Sequence, residues 1–236
     1  MSIESLKPQR SLVEQVYERI LDAICNGALA PGERVTQDEL AARLQVSRQP
    51  VMSAMSLLRQ QGFLVEHGRR GLQVAPVDPS RFDAIYELRS ALEPLAASLA
   101  AQRATAAQID EGRKLVAHGE QVAATGDPHA ALLADVKFHE WVYATSGNAL
   151  VVESMQSHWQ HLRRAMGEVL RRPELASVVW QEHRAILEAI AQRDAAAAER
   201  AIREHVTTAH TRVGGQLEAT RHEEAPARKA RPADRG

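Results

Sequence analysis

Between Pro31 and Val74 the chain carries start and stop signals so closely spaced that no long helix fits, and this stretch constrains the fold more than any other. A helix precedes it: Ser11 with Glu14 forms a capping-box pattern, and Leu12, Val16, Ile20, Ala23 and Ile24 recur at helical spacing before Asn26-Gly27 stops them. Pro31-Gly32 then marks a turn, and Thr36 with Glu39 opens a short helix bearing Leu40, Ala41 and Leu44. Ser47 is placed to cap a third helix that tolerates Pro50 in its first turn and turns Val51, Met55 and Leu58 to the core. Gly62 ends that helix. Phe63-Leu64-Val65 then faces Leu72-Gln73-Val74 across the glycine-rich loop His67-Gly68-Arg69-Arg70-Gly71, a hairpin pattern.

Three helices followed by a hairpin describe a winged helix-turn-helix, in which the third helix enters the DNA major groove. Arg48 and Gln49, at the start of that helix, suit bidentate contacts to guanine and adenine, and Arg69 and Arg70 in the loop suit phosphates or a narrow minor groove. Net charge is −1, so no broad basic surface advertises nucleic acid. Locally, residues 47–75 set Arg48, Arg59, Arg69 and Arg70 against Glu66 alone. Isolated arginines would read as a solvated face; the ordered series of elements reverses that reading. PGERVTQDELAARLQVSRQPV, a helix ending QQGFLVE and a glycine-containing wing together resemble the DNA-binding domain of GntR-superfamily transcription regulators, over about residues 10–76. The resemblance implies DNA contacts from Arg34, Arg48, Gln49, His67 and Gly68. Where that family has a further arginine after the SRxPV segment, this chain has Met52 and then Ser53, which points to a different base preference.

At 236 residues and 44% hydrophobic content, the chain is expected to form two modest domains. Ala75-Pro76-Val77-Asp78-Pro79 is a proline-bearing connector, which sets the expected organisation: a reader domain over 1–75, a linker at 76–79, a helical domain over 80–217 and a disordered tail over 218–236 that lacks an apolar stripe. Cys25, the only cysteine, rules out an intrachain disulfide and reads as a buried thiol in a reducing compartment. No apolar run approaches the roughly 20 residues that span a bilayer, and the N-terminus lacks a signal-peptide core, so a cytoplasmic location is expected.

After the connector the pattern is helical throughout, so the expected fold class is mainly α: the winged helix-turn-helix followed by an antiparallel all-α bundle. Phe82, Ile85, Leu88, Leu92 and Leu95 form the stripe of the first bundle helix, which Pro94 kinks or splits. Further helices follow from Thr105 to about Ala124, from Gly126-Asp127-Pro128 to Ser146-Gly147-Asn148, and over Ala149–Leu170, Glu174–Gln192 and Asp194–Leu217. Asp135 and His139 are four apart, so their side chains leave one helix face about 6 Å apart. His183 and His205 would lie about 33 Å apart on one helix, but the Gln192-Arg193-Asp194 turn midway between them brings them to one level of an antiparallel hairpin. If that hairpin packs beside the Asp135 helix, one carboxylate and three imidazoles converge, a ligand set for a divalent metal. On spacing alone, an Asp and a His four apart are more often a surface pair. His158 and His161, three apart, are the reserve pair.

ELRSALEPLAASLAA, DVKFHEWV and EHRAILEAIAQRDAAAAERAIREHV resemble the FCD ligand-binding domain of the FadR-like GntR subfamily, over residues 80–215. The resemblance implies that Asp135, His139, His183 and His205 bind a divalent metal ion (Zn, Ni, Mn or Fe), as in the metal-binding branch, and that the effector is a small organic acid. It also points to Arg89 as a guanidinium for the effector carboxylate. Pairing of Arg89 with Glu87, Glu93 or a neighbouring helix is a nearly equal alternative, and Arg163 and Arg164 are further candidates. The expected function is a homodimeric, ligand-responsive regulator on an inverted-repeat operator, a repressor released by its inducer and not an enzyme. A metal-ion sensor and, less favoured, a metalloenzyme are the competing readings.

Overall fold

A computed structural model of the chain describes residues 10–68, 71–169 and 173–229. It divides into two compact units, Met1–Val77 and Asp78–Gly236. Unit 1 contains α1 (Leu12–Cys25), β1 (Arg34–Val35), α2 (Gln37–Leu44), α3 (Arg48–Gln60), β2 (Leu64–His67) and β3 (Gly71–Val74). Ser11 closes a full capping box on Glu14, which fixes the start of α1. Its buried residues Val16, Ile20, Leu21, Ile24 and Cys25 pack with Val51, Ala54, Met55 and Leu58 of α3. Leu40, Phe63, Leu64 and Val74 complete that core. The wing is a three-stranded antiparallel sheet of order β1-β3-β2, with Leu64 opposite Val74, His67 opposite Gly71 and Arg34 opposite Gln73. The two-residue β1 carries no alternating pattern of its own and is held by the sheet, its approach fixed by Gly32 donating to the Val74 carbonyl at 2.8 Å. Ser47 stands at the N-cap of α3 without the expected side-chain bond.

Unit 2 contains six helices among the described residues: α4 (Pro79–Arg103), α5 (Ala106–Thr125), α6 (Pro128–Thr145), α7 (Ala149–Val169), α8 (Pro173–Ala191) and α9 (Ala195–Lys229). Packing of α4 along α9, of α8 on α9 and α5, and of α6 on α5 and α7 closes the bundle. Pro94 neither splits α4 nor removes it from the core. The buried face of α4 departs from the expected stripe: Leu95 is 46% exposed, while Arg89 and Glu93 are buried beside Phe82, Ile85 and Tyr86. The interior at that level is polar, so the helix turns its charged side chains inward and a leucine outward. Helix α9 runs to Lys229, past the expected end at Leu217, because alanine, glutamate and arginine favour helix without an apolar face. Residues 230–236 of the expected tail lie outside the described residues. No described helix is long and apolar enough to cross a membrane.

Candidate metal centre and nucleic-acid interface

In unit 1, the first two residues of α3 are Arg48 and Gln49, both exposed, and the Arg48 Nε lies 2.6 Å from Asp38 Oδ1 on α2. Arg34 is exposed on β1, and its guanidinium passes so close to Gly71 that a Cβ there would stand 3.4 Å from Nε. His67 and Gly68 are exposed at the tip of β2, where Gly68 takes a φ of +63° that a residue with a side chain adopts at a cost. Arg69 and Arg70 lie outside the described residues. Between α3 and the wing is a cleft of about 400 Å³ lined by Met52, Ser56, Arg59, Glu66 and Gly71 among others. Met52 is 48% exposed on it.

In unit 2, α6 carries Asp135 and His139, α8 carries His183 and α9 carries His205, all buried. The α8–α9 turn sets the level of the last two: Arg193 takes a left-handed φ of 59° and donates to the Ala104 carbonyl at 2.8 Å, tying the turn to the end of α4. One ring nitrogen from each of His139, His183 and His205 lies within 4.8 Å of the others. His139 Nε2 and His205 Nε2 are 3.2 Å apart, and His183 Nε2 is 3.4 Å from Asp135 Oδ1. The reserve pair His158 and His161 is not part of the converging set.

Whether these residues suit a divalent ion is a question of donors. Two nitrogens bound at right angles to one ion, each about 2.1 Å from it, stand about 3 Å apart, close to the His139–His205 separation. Both Asp135 oxygens and both His183 nitrogens are buried without a hydrogen-bond partner among the described residues, a costly state that an ion relieves. Glu182 Oε2 lies 2.8 Å from His205 Nδ1 while Glu182 Oε1 accepts from Arg212 at 2.8 Å; Glu93 Oε2 lies 3.3 Å from His139 Nδ1, which makes no hydrogen bond among the described residues. The Glu182 carboxylate on His205 Nδ1 fixes that imidazole so that its other nitrogen faces the ion. The donor set therefore fits a divalent cation.

Beside the imidazoles, Arg89 Nε donates to Glu93 Oε1 at 2.7 Å, so the expected alternative of an Arg89–Glu93 pair is present. The same guanidinium reaches to 3.4 Å from His139 Nε2 and lies over the rings of Tyr86 and Trp159. Its Nη1 has no hydrogen-bond partner among the described residues. Tyr143 donates to Glu93 at 2.6 Å. Burial alone would raise the Glu93 carboxyl, but Arg89 and then His139 outweigh it and hold it well below the carboxylate range. Burial pushes the Tyr86 hydroxyl up to about 12 and drives His183 well below an ordinary imidazole, the latter helped by His205, His139 and Arg89. Burial lowers His205 as well, against the opposing bond to Glu182. Neutral imidazole is the form that ligates. The sequence reading missed Glu93's bond to Tyr143 and the role of Glu182. Glu93 has a local signal, four residues from Arg89; Glu182 neighbours His183 in sequence yet supports His205, which the α8–α9 hairpin alone brings near.

Residues 12–74 match the bacterial regulatory proteins of the gntR family, and residues 84–208 match the FCD domain. HTH-type transcriptional repressor RspR of Escherichia coli is 25% identical over 213 residues, covering 87% of this chain and 91% of its own length. YdhC of Bacillus subtilis, an uncharacterized HTH-type transcriptional regulator, is 27% identical over 197 residues, covering 81% and 86%. Among solved structures, E. coli McbR/YncC has the same fold, with a TM-score of 0.78 at 22% identity over 89% of this chain and 100% of that one. With the reader and bundle each matched over nearly its whole length, the chain belongs to the GntR family of DNA-binding transcription regulators, in the FadR-like group that carries an FCD domain.

Proposed function

We propose that this regulator is a repressor whose bundle holds a divalent cation and whose operator affinity falls when a small organic acid enters that site. The observation that carries the reading is the buried convergence of His139, His183 and His205 beside the unpartnered carboxylate of Asp135. Those four residues would hold the ion, which supplies a Lewis-acidic anchor for a carboxylate. Arg89 supplies the second anchor: its Nη1 donor is not engaged by Glu93, and the rings of Tyr86 and Trp159 keep the guanidinium in place. Glu182 orients His205 by occupying its outer nitrogen, and the Glu93 carboxylate, 3.3 Å from His139 Nδ1, adds a favourable charge beside His139.

In the reader, Arg48 and Gln49 address base edges, while Arg34, His67, Gly68, Arg69 and Arg70 address the backbone or minor groove. A homodimer presents two such readers to an inverted repeat, in the cytoplasm. The similar E. coli protein RspR is a transcriptional repressor, which supports the sign of regulation. No catalytic step is assigned to the site.

The test has two parts. Elemental analysis of the purified protein should find a divalent metal, and an organic-acid screen by thermal shift should find a ligand that raises stability. In a gel shift on a duplex selected by the protein, that acid should weaken binding. An acid that strengthened binding would sink the repressor reading, and chelation that left both DNA affinity and acid response unchanged would sink the metal site.

A further inference from the structure

The exposed face of α3 sets an apolar side chain between two polar ones. At about 100° per residue, Arg48, Arg59, Met52, Ser56 and Gln49 follow one another in that order across about 100° of the helix circumference. All five are exposed. The opposite arc, with Pro50, Val51, Ala54, Met55 and Leu58, is buried in the core. Met52 therefore stands about 40° from Arg48 and about 60° from Gln49, between the two side chains suited to base edges. At 48% exposure it is too open to the cleft to be a core residue.

An apolar side chain in that position has one partner in the major groove. Guanine, adenine and cytosine offer polar atoms there, whereas thymine alone offers a methyl group at C5. Methionine has no strong donor or acceptor with which to prefer a guanine, and its unbranched thioether reaches and adapts to an apolar contact. We propose that Met52 is a specificity-determining residue that reads the 5-methyl group of a thymine, flanked in each half-site by the bases that Arg48 and Gln49 address. This rests on α3 being the groove-reading helix.

The test uses the full-length protein and a pool of randomised duplexes, with Met52→Arg and Met52→Ala carried through the same selection. Wild type should select an A·T pair at one fixed position of each half-site, and Met52→Arg should select G·C there, since arginine pairs with guanine. Replacing that thymine by deoxyuridine removes only the methyl group. It should weaken wild type about fourfold, the equivalent of one buried methyl, and leave Met52→Ala unchanged. The proposal is overturned if all three proteins select the same base at every position, or if deoxyuridine weakens wild type and Met52→Ala equally. A Met52→Ala protein with lower thermal stability, the wild-type base preference and the same loss on deoxyuridine as wild type would assign the side chain to packing against the wing, which also overturns it. Failure of wild type to select any duplex would overturn the groove-reading assignment itself, a result distinct from selection without a thymine.

Discussion

Arg89 and Glu93 are 1% and 0% exposed, so neither charge has water to fall back on. Removing one of a buried pair leaves the other uncompensated, a loss of about 3–5 kcal/mol. Arg89→Ala is therefore expected to lower unfolding free energy by that amount in urea titrations, and the double variant Arg89→Met with Glu93→Leu to recover only part of it, since the buried Tyr143 hydroxyl then loses its acceptor. Equal losses in the single and double variants would mean that the pair does not act as a unit. His183 gives a second prediction at this scale. In the folded chain, burial keeps its imidazole neutral well below the ordinary value of 6.5, while in the unfolded chain it takes up a proton near 6.5. The unfolded state thus binds more protons as pH falls below about 6.5, and stability is lost in that direction by up to about 1.4 kcal/mol per pH unit; above 6.5 both states are neutral and the contribution is complete. Urea titrations of metal-free protein between pH 7 and pH 5 should therefore slope downward towards acid. His183→Gln should flatten the slope, and parallel slopes would refute the assignment.

Helix α5 meets α8 at a glycine. A Cβ at Gly119 would overlap the ring carbons of Trp180, and Trp180 in turn packs edge-on against His183 at 4.8 Å between centroids. Gly119→Ala must push that ring, and with it the α8 face that presents His183. Overpacking of this kind costs about 1–3 kcal/mol. The variant should lower thermal stability and reduce bound metal per chain in elemental analysis; unchanged metal content with lowered stability would confine the effect to packing. Elements of this kind differ in how far they were legible from sequence. Ser11 and Thr36 announced their helices because capping is local chemistry, and each accepts the expected main-chain bond. The level at which His183 meets His205 was legible because a single turn lies midway between them. The inward face of α4 was not, because periodicity counts Leu88, Leu92 and Leu95 as core, whereas the buried polar cluster decides which face turns in. Nor was β1 legible, since two residues joined to a sheet edge carry no pattern of their own. Gly119 gave no warning either: a glycine within a helix reads as a weakness until the ring opposite it is known.

For the whole molecule, the proposed response requires that the acid bind the DNA-competent and DNA-incompetent arrangements unequally, since equal affinity shifts nothing. The coupling is then a single free energy shared by both ligands. If a saturating acid weakens operator binding about 100-fold, the coupling is about 2.7 kcal/mol, and operator DNA must weaken acid binding by the same factor. Calorimetric titration of the acid into free regulator and into regulator saturated with operator is expected to yield dissociation constants differing by the factor that the DNA titrations give. In Arg89→Ala the acid affinity should fall in both titrations while operator affinity without acid is retained, because Arg89 belongs to the bundle and, on the proposed reading, the bases are addressed from α3. If DNA affinity responded to the acid while acid affinity ignored the DNA, the acid would not be acting through binding to this protein, and the effector would have to be sought elsewhere.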